Sequence, residues 1–424
     1  MALVLWKQNQ PFDTLYLPTG FFFRQNGAYF DRNLQAISYD PTTVLPSSTP
    51  TVKVGDVYVG APGSAPSVVN RGTQQNAILD FTIPKVGKSD FWGINGHLTW
   101  TWTPNATGYL KANWAFACLR LLELGCKTYR NGYGWTEDGT TGAITGSDGN
   151  TFVDFITNFA QPCGIKVHPV LLMTYTHPII TDETSAYNFG YARGVEAATK
   201  LKGLVPWYEI GNEIETYALT GRGQWYGDYD MTKFRKLRGL LRGTVAGIKS
   251  VDTVTPIMSP GGTWMHTAFY DNLLHGIEPD GSTGHPTLDW DLTSWHWYVK
   301  NYPGNDDIEV LSAQGGYNVL ATIAAWGKPI YITECGAQAS SYSGSDSALS
   351  AAIMASNVLI DRFWAVRNTY NIKHVSLYQL FDAASAGTAG TADEMNYGFM
   401  ASDGSTKKGR YTDLMNYVSL HQTA

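Results

Sequence analysis

Two glutamates in the sequence follow short apolar runs. Glu213 comes after residues 205–210 and directly follows Asn212, whereas Glu334 closes the run of residues 328–334. We predict that both runs are buried strands and that each glutamate lies where its strand meets a loop. Hydrolysis of a glycosidic bond needs two carboxyl groups, because one protonates the leaving oxygen while the other attacks the anomeric carbon or activates a water molecule. The pair therefore indicates a glycosidase, in which Asn212 can hydrogen-bond a sugar hydroxyl.

The chain from Phe91 onward alternates between apolar runs and amphipathic segments, which is typical of an α/β protein with a (β/α)8 (TIM) barrel. The predicted strands are residues 91–95, 128–131, 166–173, 205–210, 255–259, 288–298, 328–334 and 375–382. The predicted helices are residues 106–124, 152–160, 187–201, 231–249, 308–325, 348–368 and 411–421. Glu213 then follows strand four and Glu334 ends strand seven, at the end of the barrel where active sites lie.

The two motifs resemble those of glycoside hydrolase clan A, a superfamily of retaining enzymes built on this barrel, and in particular its family 39. The motifs are Asn-Glu at 212–213 and Thr-Glu-x-Gly at 333–336, and the resemblance extends over residues 90–424. It implies that Glu213 is the acid/base and Glu334 the nucleophile of a retaining, two-glutamate mechanism. Burial and the charge of the nucleophile are then expected to hold Glu213 protonated.

Further strand ends carry polar side chains that fit this resemblance. Arg130, at the end of strand two, matches the arginine that keeps the nucleophile of clan A enzymes ionised; an arginine in a structural ion pair is the alternative. His296 and Tyr298 end strand six, where the clan places a histidine or tyrosine near the nucleophile, and a buried core histidine is the alternative. His97, at the end of strand one, is expected to contact substrate.

Two positions need a separate interpretation. Clan members often place a tryptophan after strand eight as the floor of the sugar site, whereas this chain offers Tyr378 or Phe381, and we expect one of them to form the platform. Glu209 is a rival carboxylate close to the Asn-Glu motif. Its position within strand four predicts that it supports Arg130 or Asn212 inside the barrel.

Composition places the chain among soluble globular proteins. Hydrophobic residues make up 43% of its 424 residues and charged residues 16%, and because this length exceeds one barrel we predict two domains, residues 1–88 and 89–424. The net charge of −6 gives no basic surface for nucleic acid or an anionic membrane. The sequence has no run of about 18 apolar residues, so we predict no transmembrane helix.

The sequence also has no HExxH motif and no cluster of His and Asp residues, so we predict no metal and no cofactor. The four cysteines have no CxxC spacing and are expected to be free, buried thiols.

Residues 1–88 have a different character, with many Pro, Gly, Ser, Thr and Val and β-like runs such as residues 51–59. Residues 60–85 resemble a small β module of bacteriophage tail fibres, and an ordinary β linker is the alternative. The resemblance implies that this segment attaches the barrel to virion proteins or self-associates. The first residues lack the basic and apolar regions of a signal peptide, as expected of a virion protein that assembles in the host cytoplasm.

Three functions fit these observations. The first is a retaining glycoside hydrolase of a phage tail, a depolymerase that cuts a bacterial surface polysaccharide or exopolysaccharide. The alternative is a non-catalytic virion adhesion protein that binds carbohydrate, and a cytosolic glycosidase would leave residues 1–88 unexplained. Both candidate catalytic glutamates are present, which favours the enzyme.

Overall fold

The computed structural model describes residues 90–98, 107–384 and 393–422, together with the strands before residue 85 and residues 71–72. The chain divides into two compact units, Met1–Lys85 and Val86–Ala424. The division falls three residues before the boundary placed from the sequence. Each unit is described by itself.

The first unit is built from short strands. Thr51–Gly60 runs parallel to Asn76–Pro84, which pairs on its other side with the antiparallel strand Ser67–Asn70. Phe23–Gln25, Ala28–Phe30 and Ala36–Ile37 form a second sheet, and Tyr16–Leu17 pairs with Gly20–Phe21. The β-run predicted at residues 51–59 is confirmed as a strand. Residues 61–66 and 73–75 of the phage-like module lie outside the described residues, and attachment to a virion stays a prediction.

The second unit is a parallel barrel, which confirms the predicted fold class. Its strands are β1 (Trp92–Gly96), β2 (Thr128–Tyr133), β3 (Lys166–Leu171), β4 (Tyr208–Glu209), β5 in two pieces (Ile257–Met258 and Gly262–Thr263), β6 (Thr293–Val299), β7 (Ile330–Ala337) and β8 (Ile372–Leu377). Each strand pairs with the next, and β8 pairs with β1. The first piece of β5 pairs with β4 and the second with β6, so the ring closes through β5.

The strand register brings polar residues to one level of the barrel. Arg130 on β2 lies beside Asn95 on β1, and His296 on β6 lies beside Glu334 on β7. The pairing of β6 with β7 shifts between Trp295 and His296, and such an irregularity re-aims the side chains that follow it. These side chains therefore meet at the carboxyl end of the barrel.

Helices surround the strands. They are α1 (Trp114–Leu124), α2 (Gly149–Phe155) with a π turn at Ile156–Ala160, α3 (Glu183–Leu201), α4 (Met231–Val251), α5 (Thr267–His275), α6 (Val319–Ala324), α7 (Asp346–Met354), α8 (Leu359–Val366) and α9 (Gly409–Leu420). Helix α5 has no counterpart among the sequence predictions. Helix α3 begins four residues earlier than predicted because Asp182 and Ser185 form a capping box.

Three predicted helices were wrong in extent. The helix expected over residues 106–124 becomes α-helical only at Trp114, after two short 3-10 turns. The helix expected over residues 348–368 is two helices, since Asn357 adopts a left-handed conformation (φ 59°) between them, which asparagine tolerates better than most residues. The helix expected over residues 308–325 shrinks to α6, because Gly315 and Gly316 have positive φ and Asn318 caps the new start. Strand eight likewise ends at Leu377, five residues before its predicted end.

Residues Asp346–Val366 are the one stretch in the described part of the chain with the length and mean hydropathy (1.3) of a membrane span. The stretch consists of α7 and α8 with a break between them. Helix α7 packs on β7 and α9, and α8 packs on β8. It is therefore part of the outer layer of the barrel.

All four cysteines are free, as predicted. Cys118, Cys126 and Cys335 are buried, but Cys163 is half-buried, so the expectation of full burial was wrong for it. The thiol of Cys335 donates to the carbonyl of Ser376 at 3.6 Å. Cys335 thus belongs to the packing of the strands rather than to the cavity.

Candidate active site

A cavity of about 1120 Å³ opens at the carboxyl end of the strands. Both candidate catalytic glutamates line it, as do the predicted site residues Asn212, Arg130, His97, Tyr298 and Tyr378. His296 is fully buried and contacts both glutamates. The structure therefore gathers all eight predicted residues around one space.

Glu213 lies in a tight turn after β4. Its φ of 46° is left-handed, a conformation that is costly for a residue with a side chain and that clusters at functional sites. Its backbone N–H donates to the carbonyl of Gly261 at 2.7 Å, which fixes the turn against β5. The side chain is 35% exposed, and Oε1 lies 2.8 Å from Nδ1 of His296. Glu213 is thus both held and accessible to a ligand.

Glu334 is more enclosed, with 12% of its side chain exposed. Its Oε1 accepts a hydrogen bond from Nη1 of Arg130 at 2.5 Å, and its Oε2 accepts one from the hydroxyl of Tyr298 at 3.0 Å. Both oxygens are therefore held from separate strands. Such a carboxylate has a fixed orientation towards the cavity.

The two glutamates are close together. One carboxylate oxygen of Glu213, one of Glu334 and a ring nitrogen of His296 all lie within 4.8 Å of one another. Nδ1 of His296 is 3.6 Å from Oε2 of Glu334. Retaining glycosidases hold their carboxyl groups about 5–5.5 Å apart and inverting ones about 6.5–9.5 Å apart. The spacing matches the retaining arrangement.

These three side chains are also the one group of possible metal ligands found among residues 90–98, 107–384 and 393–422. Nδ1 of His296 is already hydrogen-bonded to Glu213, and a metal ion there would require that nitrogen to be free of its proton. The arrangement favours a shared proton over a metal.

Arg130 uses all five of its N–H groups inside the site. Nε and Nη2 donate to the carboxylate of Glu209, Nη1 donates to Oδ1 of Asn95 and to Glu334, and Nη2 also donates to Oδ1 of Asn212. No N–H group of Arg130 remains for a sugar. The side chain instead positions Glu334 and Asn212. Glu209 supports Arg130, as predicted.

The pKa of Glu213 shifts in the direction opposite to that expected from the sequence. Burial alone would raise the pKa of Glu213, but the hydrogen bond and charge of His296, with the charge of Arg130, lower it below its usual value. Burial opposes the charged form of His296, yet the charge of Glu334 and the contact with Glu213 raise its pKa. The contact between the two side chains therefore shifts the pKa of Glu213 down and that of His296 up.

No family model matches the sequence, and no curated protein matches it. Among solved structures, a family 39 glycoside hydrolase from Bacteroides cellulosilyticus WH2 is 16% identical, with a TM-score of 0.52 over 88% of this chain and 81% of that chain. A GH5_18 protein from Streptomyces cattleya in complex with GlcNAc is 13% identical, with a TM-score of 0.54 over 80% and 82% of the two chains. A family 1 β-glucosidase from Thermotoga maritima is 14% identical, with a TM-score of 0.51 over 81% and 99%.

The chain has the barrel fold of these glycoside hydrolases. Identities of this size show the fold alone, so the chemistry of the barrel has to be argued from its side chains.

The side of the cavity after β8 differs from the prediction in one respect. Phe381 is fully buried and packs edge-on against Tyr109, so it does not form a sugar platform. Tyr378 lines the cavity, but the residue is only 8% exposed. Its hydroxyl lies 3.3 Å from Nε2 of His97 and donates to Oε2 of Glu394 at 3.1 Å. The polar tip of Tyr378, rather than its ring face, is the part placed for recognition.

The residues that line the cavity but were not predicted from the sequence include Glu394, Tyr397 and Trp264. Burial and the nearby charges of Glu334 and Asp393 raise the pKa of Glu394 to about 7. Trp264 follows the Gly-Gly-Thr sequence that ends β5, and polar or aromatic residues after a barrel strand are a signal that could have found it. Glu394 and Tyr397 lie in the loop after β8, which has no periodic pattern to place it.

Proposed function

We propose that this protein is a retaining glycoside hydrolase, with Glu334 as nucleophile and Glu213 as acid/base. The observation that carries the proposal is the short distance between the two carboxyl groups at the mouth of the barrel. One carboxylate oxygen of Glu213 lies within 4.8 Å of one carboxylate oxygen of Glu334. The separate partners of each group support the division of roles. The two carboxylate oxygens of Glu334 accept hydrogen bonds from Arg130 and Tyr298, whereas Glu213 contacts His296, a group that can carry a proton.

In the first step Oε of Glu334 attacks the anomeric carbon, and the bond from that carbon to the leaving oxygen breaks. Glu213 gives its proton to the leaving oxygen, so the leaving group departs as a neutral alcohol. The covalent glycosyl ester on Glu334 is the intermediate. Arg130 and Tyr298 orient the attacking carboxylate.

In the second step Glu213, now ionised, takes a proton from a water molecule. The water oxygen attacks the anomeric carbon on the face left by the leaving group, and the bond to Glu334 breaks. The sugar leaves with its original anomeric configuration. Glu213 is protonated again and Glu334 is again a carboxylate.

His296 supplies a reason why Glu213 can be an acid although its own pKa is lowered. The two groups share one proton over a contact of 2.8 Å. When a substrate covers the cavity, the proton can pass from Nδ1 of His296 to Oε1 of Glu213 without entering from solvent. His296 is therefore a positioning residue for the proton.

The sugar that is attacked by Glu334 meets hydrogen-bonding groups from several strands. Asn212 lines the cavity with its Oδ1 bonded to Arg130, which leaves its amide N–H groups for a hydroxyl. His97 and Glu394 flank the hydroxyl of Tyr378. Burial lowers the pKa of His97 well below its usual value, which favours the neutral ring. These groups suit a sugar rich in hydroxyls.

The size of the cavity supports a substrate longer than one sugar. At about 1120 Å³ it exceeds the roughly 300–1,000 Å³ of sites for drug-sized ligands. We therefore propose a polysaccharide or oligosaccharide substrate, with a bacterial surface polysaccharide or exopolysaccharide as the first candidate.

The alternative function is a barrel that binds carbohydrate without turnover. A screen of purified protein against capsular polysaccharides and exopolysaccharides, with product size measured by gel filtration, separates the two. Shortened products that are absent with Glu334→Ala support the enzyme. Binding of a polysaccharide whose length never changes supports the adhesion protein. The panel should include N-acetylglucosamine polymers, since a structural neighbour was solved with GlcNAc.

We further propose that the first unit attaches the barrel to a phage tail. The proposal rests on the resemblance of residues 60–85 to tail-fibre modules and on the separation of the chain into two compact units. A chain that begins at Lys88 should keep its activity and no longer join particles that lack the native protein. Loss of activity in a folded truncated chain, or its incorporation into particles, would contradict this role.

A further inference from the structure

Trp264 presents an aromatic ring to the cavity from the end of β5. Its ring stacks almost parallel on that of Trp297, with centroids 5.2 Å apart and an angle of 11°. Trp297 is buried, whereas Trp264 is half-buried and lines the cavity. One face of the Trp264 ring is thus covered by Trp297, and the other is the face that the cavity can use.

The backbone at Trp264 adopts a conformation that is unfavourable for tryptophan. Its φ of 52° is left-handed, which is an outlier for a bulky residue. The carbonyl of Trp264 accepts a hydrogen bond from Nε1 of Trp295 at 3.2 Å, and the N–H of the preceding Thr263 donates to Oε1 of Glu215 at 2.9 Å. Strain that the surroundings enforce at a cavity is a reason to look for a function of that residue.

Trp264 lies on the acid/base side of the site. Asn212 bridges to Gly261, and Glu213 donates its N–H to the same residue, three positions before Trp264. Glu334 is two strands further around the barrel, and Glu394 follows β8 beyond it. The leaving oxygen must meet Glu213, so a ring joined through that oxygen extends towards Trp264. The attacked sugar lies on the other side, between Glu334 and Glu394.

The cavity continues past Trp264. A second space of about 280 Å³ shares Trp264, His266 and Gln314 with the main cavity and also contacts Arg222. A chain leaving the catalytic glutamates on this side therefore has further room.

We propose that Trp264 is the platform for the leaving-group sugar, and that the substrate accordingly carries a sugar ring with an apolar C–H face on that side. This inference rests on the proposed glycosidase function. It predicts that Trp264 contributes to turnover of a saccharide chain but not to turnover of a glycosyl fluoride. In the fluoride the leaving group is a fluoride ion, which does not occupy the site of the leaving-group sugar.

The test compares Trp264→Gly with wild type. Glycine adopts φ 52° without strain, so the variant loses the ring and not the turn. Trp264→Phe restores a smaller ring, and Trp225→Ala removes a tryptophan that is 57% exposed and does not line the cavity. Substrates are the polysaccharide that wild type cuts and the glycosyl fluorides of glucose, galactose, xylose and N-acetylglucosamine, each tested as the α and the β anomer.

We expect Trp264→Gly to lose roughly tenfold to a hundredfold in kcat/KM on the polysaccharide, the loss of one well-packed aromatic contact, mainly through KM. Its kcat/KM on the fluoride should stay within about twofold. Trp264→Phe should recover part of the loss, and Trp225→Ala should match wild type.

Equal losses on polysaccharide and fluoride, or no loss on either, would overturn the role of Trp264 while leaving the glycosidase intact. Wild type that cuts neither substrate class would instead overturn the glycosidase function, and this inference with it.

Discussion

Nδ1 of His296 lies 2.8 Å from Oε1 of Glu213, and each group shifts the pKa of the other towards its charged form. The imidazole is fully buried and also faces Glu334 at 3.6 Å. A buried cation between two carboxylates is stabilised by both of them. Glu213 and His296 therefore titrate as one unit that loses its proton at a higher pH than either group would alone.

This coupling predicts the effect of His296→Asn on the pH profile. The basic limb of kcat/KM reports loss of the shared proton in wild type and loss of the Glu213 proton alone in the variant. Because the pair holds its proton more tightly than Glu213 can, the basic limb should move to lower pH. Steady-state rates from about pH 4 to 9 measure it. His177→Asn, a buried histidine outside the cavity, is the control. A basic limb that stays at the same pH or moves to higher pH would show that His296 does not carry the proton.

Arg130→Met should destabilise the barrel. Arg130 is 3% exposed and Glu209 is fully buried, and removing one partner of a buried ion pair costs about 3–5 kcal/mol. Urea unfolding at pH 7 measures this loss. Arg242→Met, which removes a hydrogen bond to the carbonyl of Thr287, should cost far less.

The cost of Arg130→Met should also depend on pH. Burial would raise the pKa of Glu209, but the charges of Arg130 and His168 lower it far below its usual value. The stability from this group is present above the unfolded pKa of about 4.3 and is lost as pH falls. Without Arg130, buried Glu209 binds a proton on folding, so the difference from wild type should shrink between pH 7 and pH 4. A difference that grows would contradict the pairing.

Glu394→Gln should weaken recognition of the attacked sugar. The amide keeps the shape of the side chain and an acceptor for Tyr378. Because the pKa of Glu394 is raised to about 7, its carboxylate makes charge-assisted hydrogen bonds to sugar hydroxyls above that pH; the amide loses these bonds, which are worth about 1.5–3 kcal/mol. We expect kcat/KM to fall about tenfold to a hundredfold. Deoxy analogues of the substrate provide the control, since the variant should lose little on the analogue that lacks the contacted hydroxyl. Equal losses on every analogue would assign Glu394 to the structure of the loop.

The catalytic roles predict opposite responses to azide. Glu213→Ala should lose about 10²–10⁴-fold on substrates with poor leaving groups but little on the first step with aryl glycosides, which need no protonation. Azide should restore its turnover and give a glycosyl azide of retained configuration. Glu334→Ala should remain inactive on all of them. If azide rescues Glu334→Ala with retention, the two roles are reversed.

The sequence was sufficient for the residues that sit at strand ends. A parallel barrel brings the carboxyl ends of all its strands together, so the order of apolar runs places Glu213 and Glu334 at one end, and the resemblance to clan A adds Arg130, His296 and Tyr298. Their partners were less predictable. That Arg130 is saturated with acceptors, and that His296 contacts Glu213, depends on distances of a few ångströms that no periodicity encodes.

Loop geometry accounts for what was missed. Trp264 reaches the cavity through a left-handed turn directly after β5, and a strand broken in two has no clear alternating pattern. Glu394 lies in an irregular segment after β8. The helix boundaries near Asn357 and Gly315 were misjudged for the same reason. A single residue in the left-handed conformation can end a helix without any change in the amino-acid composition around it.

The central claim is that Glu334 forms a covalent bond to the sugar. A 2-deoxy-2-fluoro glycosyl fluoride slows both steps but keeps a good leaving group, so the glycosyl enzyme should accumulate. Mass spectrometry of the intact protein and of its proteolytic peptides then locates the label. The proposed mechanism predicts one added sugar, on the peptide that contains Glu334 and at that residue. A label on Glu213 or Glu394, or release of a product of inverted configuration with no labelled protein, would contradict it.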